Sequence, residues 1–153
     1  KYKESEYLNG LYRKIRYNRF AEFVETHWDG YDGFNAFELK RVDEFFAEID
    51  KEFAEIELYT GDFKGWSVLA TFSKCSVNEI AKKMIDKYES DVIIVVNPDT
   101  KFVSFRKPVG SKADIQFMSE NLCGGGGGEW ASGGGMTQKF LDFTTKMISY
   151  ESK

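Results

Sequence analysis

The sequence feature best suited to chemistry is a run of glycines near the C-terminus. Eight of the twelve residues from 124 to 135 are glycine, out of 14 glycines in the chain. Such a run is either a flexible linker or a backbone that must approach something closely. Successive glycine N–H groups can form a concave nest for an anion such as phosphate. The Glu-Trp-Ala-Ser interruption between Gly128 and Gly133 favours an anion-binding loop over a featureless linker.

Side chains for catalysis are scarce. The chain has one histidine, His27, and two cysteines, Cys75 and Cys123. These three ligands cannot complete a four-ligand zinc site, and there is no nucleophile-elbow motif. We therefore expect no catalytic residue and no metal site in this chain. The two widely spaced cysteines fit reduced thiols, which favours a cytoplasmic protein.

Composition and charge narrow the function classes further. Apolar residues make up 42% of the chain, which excludes a disordered protein. The longest apolar run, Val92–Val96, has the length of a strand, so we expect no membrane partner. The net charge is −4, which does not by itself indicate nucleic-acid binding.

The spacing of apolar residues predicts the elements that must position the glycine run. Residues 1–62 read as a helical arm or connector, because their apolar residues recur at helical spacing, most clearly from Leu39 to Ile56. The remaining residues, 63–153, read as one domain. It begins with a strand at Trp66–Ser73, a helix from Val77 and a fully apolar strand at Val92–Val96. This unit is expected to be parallel and right-handed.

The rest of the domain completes the predicted sheet and surrounds the glycine run. The turn Asn97–Thr100 returns the chain into an antiparallel strand at Lys101–Arg106. Two further helices are predicted, one through Ile115 and Leu122 and one that begins after Thr137. The expected fold class is therefore α/β (α+β): a small mixed β-sheet with flanking helices and a glycine-rich loop, preceded by a helical connector.

The stretch from Trp66 to about Met147 resembles a known domain. The family motif is Gly-Gly-Gly-His-x-x-Ala-Ala/Ser-Gly; here Gly125–Gly127 match the triple glycine and Ala131–Gly133 match its end. An upstream Val-Ser-Leu-Arg-like strand is similar to Val103–Arg106. On these residues the chain resembles the C-terminal DHH-associated, substrate-binding domain of DHH-type phosphoesterases. RecJ-like exonucleases, nanoRNases and pAp phosphatases belong to this group.

The resemblance implies a module that recognises a nucleotide or phosphate and does not catalyse by itself. The motif histidine falls on Gly128, or on Glu129 if the loop is shifted by one residue. Trp130 is a candidate for stacking on a base. The residues implied to bind substrate are Ser104, Arg106, Gly124, Gly125, Gly126, Gly127, Gly128, Ser132 and Gly133.

The resemblance also implies what lies outside this chain. In the family, hydrolysis requires manganese held by an N-terminal domain with an Asp-His-His motif, which this chain lacks. The implied partners are therefore that DHH domain and a nucleotide or short single-stranded nucleic acid end. Two alternatives remain: a structural or oligomerisation module, and a nucleic-acid-binding domain like that of alanyl-tRNA synthetase.

Overall fold

The structure is a computed structural model that describes residues 36–150. The chain divides into two compact units after Lys51. The part of the predicted helical arm that precedes residue 36 lies outside the described residues.

The first unit is described through helix α1, Ala36–Glu55, which continues a short way into the second unit. Val42, Phe45, Phe46 and Ile49 are buried, at the three- and four-residue spacing of one helix face. The predicted apolar stripe and the helical character of this part of the connector are confirmed. No helix within residues 36–150 is both long and apolar enough to span a bilayer.

The second unit contains a mixed β-sheet and three more helices. Its elements are β1 Leu58–Phe63, β2 Trp66–Phe72, α2 Val77–Lys87, β3 Val92–Asn97, β4 Phe102–Arg106, α3 Ile115–Cys123, β5 Gly126–Gly127, β6 Ala131–Gly135, α4 Gln138–Thr144 and β7 Ile148–Ser149. The strands lie in the order β5-β6-β4-β3-β2-β1-β7. The pair β2–β3 is parallel and the other pairs are antiparallel. The expected α+β class, with a mixed sheet and flanking helices, is confirmed.

The two faces of the sheet have different coverings. One face forms the main core with α3 and α4, through residues such as Ile94, Val103 and Phe105 packed with Met118 and Phe140. Successive strand residues point to opposite faces, so Phe102, Ser104 and Arg106 lie on the other face. On that face Arg106 contacts α2. The glycine-rich segment, which follows α3, continues into the edge hairpin β5–β6 beside β4.

Strand β1 was not predicted from the sequence. The N-terminus of α2 lacks the side-chain cap that its sequence would allow. Residues 58–63 fall almost entirely within the range predicted as a connector, yet they pair along their whole length with β2. Ser76 and Glu79 have the spacing of a capping box, but the Ser76 side chain makes no capping bond. Thr137 does cap α4, because its side chain accepts a hydrogen bond from Phe140 N.

Candidate functional site

Strand register separates the predicted site residues into two groups. In β4, Ser104 pairs with Gly133 and Arg106 pairs with Ala131, while Phe105 pairs with Ser132. Directly paired residues in an antiparallel ladder share a face. The structure therefore brings Ser104, Arg106 and Gly133 together on the face opposite the main core. It places Ser132 on the core face.

Arg106 is the most informative side chain on this face. Its Nη1 lies 2.9 Å from the Phe105 carbonyl oxygen and 3.5 Å from that of Ser132, and its Nη2 lies 3.1 Å from Asn78 Oδ1. All three acceptors are neutral, and no carboxylate within residues 36–150 pairs with the guanidinium. Burial lowers the pKa of Arg106 from its ordinary value. A half-buried cation with only neutral acceptors retains capacity for an anion.

The contact with Asn78 shows which way the Arg106 side chain runs. Arg106 pairs with Ile93, near the start of β3, whereas Asn78 lies in the first turn of α2, which follows the end of β2. The end of β2 is level with Val96, near the Phe102 end of β4. The side chain must therefore extend back along β4, toward Phe102. This places the guanidinium beside the positive N-terminal end of the α2 dipole.

Several glycines of the run are required by internal packing. A Cβ on Gly125 would overlap the Gly133 carbonyl oxygen and lie 2.8 Å from Gly134 Cα. A Cβ on Gly134 would lie 2.8 Å from Cys123 Cβ. Gly127 has φ +151° and would place a Cβ 2.6 Å from Ser132 Cα. These glycines allow α3 and β6 to approach closely, which is a structural reason for part of the run.

Most amides of the predicted nest are occupied by bonds within the chain. Gly124 N and Gly125 N donate to Glu120 O and Ser119 O, which terminates α3. Gly128 N donates to Ala131 O at 2.8 Å, which closes the β5–β6 turn. The amides of Gly124, Gly125 and Gly128 are thus not available to an anion in this conformation.

Gly126 has a different environment from its neighbours. It pairs with Gly133, so a side chain there would lie on the face of Ser104 and Arg106. Yet a Cβ on Gly126 would meet nothing within 4 Å, and its φ lies outside the left-handed region. Nothing within residues 36–150 requires glycine at this position. We call the row Ser104, Gly133 and Gly126, bounded by Phe102 and Arg106, the glycine face.

Ser132 and Trp130, which were predicted to contact a ligand, have partners within the chain. Ser132 Oγ bonds to Ser119 Oγ and to the Ile115 carbonyl oxygen, at 3.2 Å for the latter, and the residue is buried. Lys107 Nζ lies 4.9 Å above the centroid of the Trp130 ring and donates a 2.9 Å hydrogen bond to Ala113 O. This cation–π contact occupies one side of the Trp130 ring, which is half exposed.

Sequence reasoning missed Phe102 as a site residue. It is the first residue of β4 and is 49% exposed. A Cβ on Gly133 would lie 2.7 Å from Phe102 Cε1, so the ring lies over that glycine. The available signal was the two-residue period of the strand, which puts Phe102 on the same face as Ser104 and Arg106.

The described residues do not fit a metal centre. Within residues 36–150 there is no group of three or more His, Cys, Asp or Glu side chains that could hold a metal ion. The manganese implied by the resemblance would thus have no ligand set in this part of the chain, and we derive no chemical step through it. Cys123 is buried, and burial raises the pKa of its thiol to about 11.

Comparison with known proteins shows a likeness to solved structures but no family. No protein-family model matches the chain, and no curated protein matches it. Among solved structures, the chain is similar to an uncharacterized protein from Helicobacter pylori G27, at 18% identity and a TM-score of 0.45. The similarity covers 79% of this chain and 34% of the Helicobacter chain, so this chain spans about a third of that length. The functional interpretation therefore depends on the geometry of the site itself.

Proposed function

We propose that the second unit is a phosphate-recognition module that binds the phosphate of a nucleotide or of a short single-stranded nucleic acid end. The observation that carries the proposal is Arg106. A half-buried guanidinium that bonds only to neutral oxygens has no internal counter-charge among the described residues. The planar guanidinium can bond a phosphate in bidentate fashion, and the family resemblance favours phosphate over a carboxylate.

The surroundings of Arg106 support an anion on the glycine face. The first turn of α2 has no side-chain cap from Ser76, so its N–H groups and dipole contribute positive potential beside the guanidinium, which the Glu79 carboxylate in the same turn partly offsets. Ser104 lies on the same face and is 4% exposed. Gly126 leaves room beside it for a ligand to approach the backbone. An anion here would gain a cation, a hydroxyl donor and a favourable dipole.

The DHH-associated resemblance supplies the wider form of the proposal. In it, this chain holds the nucleotide while a DHH domain of the same parent protein holds manganese and performs hydrolysis. The parent would be a cytoplasmic exonuclease or oligonucleotide phosphodiesterase. Support comes from the motif residues Gly125–Gly127 and Ala131–Gly133 and from the position of Arg106 on the glycine face.

A binding titration tests the proposal. The full chain is titrated with a 5′-phosphorylated adenine dinucleotide and with the same dinucleotide lacking the 5′-phosphate. A hydrogen bond to a charged group contributes about 1.5–3 kcal/mol, so Arg106→Ala should weaken binding of the phosphorylated ligand by roughly 10- to 100-fold. Arg106→Lys should restore only part of the affinity, because lysine lacks the planar fork.

The matched control is Arg41→Ala, which removes another half-buried arginine; it pairs with Glu44 at 3.5 Å in α1 and lies 5.1 Å from the centroid of the Phe37 ring. This variant should bind like wild type. Unfolding midpoints should show that Arg106→Ala remains folded. If wild type shows no saturable binding up to millimolar ligand, or if Arg106→Ala binds as tightly as wild type, the proposed function is wrong.

A further inference from the structure

Phe102 and Arg106 are the first and last residues of β4, and Phe102 lies at one end of the glycine face. Its ring lies over Gly133, with Cε1 and Cζ 2.7 and 3.0 Å from the position of an added Cβ. The absence of a side chain at Gly133 is therefore what lets the ring lie down on β6. About half of the residue is exposed to solvent, at 49%.

Phe102 differs in its ring contacts from another phenylalanine of similar exposure. Phe72 is exposed to a similar degree, 48%, but its ring forms an edge contact with Tyr59 at 6.2 Å. The Phe102 ring makes no such contact with another aromatic ring among residues 36–150. A large apolar ring that packs on backbone and remains half exposed is suited to stacking against a planar group.

The ring and the guanidinium contact consecutive residues of one strand. Phe102 lies over Gly133, and Arg106 Nη1 is 3.5 Å from the carbonyl oxygen of Ser132. The two side chains are four residues apart in β4, but the Arg106 side chain runs back toward Phe102, as its contact with Asn78 shows. A planar apolar surface and a cation thus lie on the same face and contact neighbouring residues of β6.

We propose that Phe102 is the residue on which an aromatic base of the ligand stacks, while Arg106 binds the ligand's phosphate. This inference rests on the proposed function and makes it specific: the module prefers a phosphate that carries an aromatic base over the same phosphate without one. It assigns stacking to Phe102 rather than to Trp130, because Lys107 already occupies a side of the Trp130 ring.

The experiment compares two ligands that share a phosphate and differ in the base. Adenosine 5′-monophosphate and ribose 5-phosphate are titrated separately into wild type and variants, with unfolding midpoints as the check on folding. Stacking on an aromatic side chain contributes enough that Phe102→Ala should weaken adenosine monophosphate binding by roughly 5- to 150-fold. The affinity for ribose 5-phosphate should stay within about twofold of wild type, since that ligand has no ring to stack.

Further variants isolate the aromatic contact. Phe102→Trp should keep the affinity for the adenosine ligand, whereas Phe102→Leu, which retains apolar bulk, should lose most of what Phe102→Ala loses. The Leu variant also replaces the Ala variant if the latter does not fold. Phe72→Ala, at a matched exposure, and Trp130→Ala should both bind like wild type.

The outcomes distinguish this inference from the function on which it rests. If wild type binds neither ligand, the proposed function fails and the inference fails with it. If wild type binds both and Phe102→Ala weakens both equally or neither, the phosphate site stands and the stacking assignment is wrong. Loss in Trp130→Ala instead of Phe102→Ala would also overturn the assignment.

Discussion

Gly125 and Gly126 are neighbours in sequence, but substitution with alanine should have opposite effects on stability. A Cβ on Gly125 would overlap the backbone of Gly133, so β6 and the end of α3 must move apart. Overpacking of this kind costs about 1–3 kcal/mol. A Cβ on Gly126 meets nothing, and its φ is outside the left-handed region. Alanine there should stabilise by about 0.4–1 kcal/mol, by reducing the entropy of the unfolded chain.

The difference between the two variants is thus expected to be about 1.4–4 kcal/mol in the free energy of unfolding. For a chain of this length, at about 2–4 °C per kcal/mol, that corresponds to roughly 3–16 °C in melting temperature. Urea unfolding followed by tryptophan fluorescence measures it, provided that the m-value is the same for both variants. Equal midpoints, or a lower midpoint for Gly126→Ala, would show that the β5–β6 geometry is wrong.

The same Gly126 variant also tests the glycine face. Its methyl group should lie on the side of Ser104 and Arg106, in the space assigned to the ligand. We expect Gly126→Ala to be at least as stable as wild type and yet to bind the phosphorylated dinucleotide several-fold more weakly. Gly128→Ala is the matched control, because a Cβ there would have only one neighbour, Ala131 O at 3.9 Å. If both variants bind like wild type, the ligand does not approach Gly126.

The remaining predictions concern two helix caps, the Cys123 thiol and catalysis. Thr137→Ala should cost about 1 kcal/mol in urea unfolding because Thr137 caps α4. Ser76→Ala should cost nothing, since Ser76 Oγ is buried without a partner. The pKa of Cys123 rises from 9.0 to about 11 on folding, so the native state holds the proton longer than the unfolded state. Stability should therefore fall as pH rises from about 9 to 11, by up to roughly 2 kcal/mol in a urea titration, and Cys123→Ala should remove that fall. The chain alone should not hydrolyse the phosphorylated dinucleotide, with or without manganese, in a chromatographic assay; turnover that a point change in this chain abolishes would contradict this.

Strongly periodic segments were predictable because burial fixes their pattern. The fully apolar run at Val92–Val96 became β3, and the helical spacing that begins at Val77 became α2. Both elements depend on a hydrophobic pattern that the sheet then buries, so sequence and structure agree there.

Strand β1 was missed because its pattern is weak. Most of its residues are only half-buried, and Gly61 interrupts it to make room for Met147. The hairpin to β2 turns at Lys64 and Gly65, both with positive φ. A turn with this geometry usually contains Asn-Gly or Asp-Gly, and Lys-Gly predicts such a turn much less strongly.

The glycine run shows where sequence reasoning about the site ends. The sequence indicates that another group comes close to these glycines, but it does not show which group. The structure shows that at Gly125, Gly127 and Gly134 the approaching group is the chain's own backbone or Cys123. Among the described residues of the run, Gly126 and Gly135 have open space and an ordinary φ, so no internal contact requires glycine there. The amide nest that the composition favours is largely closed by α3 and the β5–β6 turn.

Strand register decides which motif residues can act together, and register is not visible in a single sequence. Ser104 and Ser132 both belong to motif-like segments, yet one lies on the glycine face and the other is bonded to Ser119 on the core side. Phe102 belongs to neither motif, and the strand alternation puts it beside Ser104 and Arg106. A ligand on this face would therefore contact side chains of β4 and bare backbone of β6 and β5. On this geometry, specificity is expected to come from Phe102 and Arg106, and the glycines are expected to contribute access.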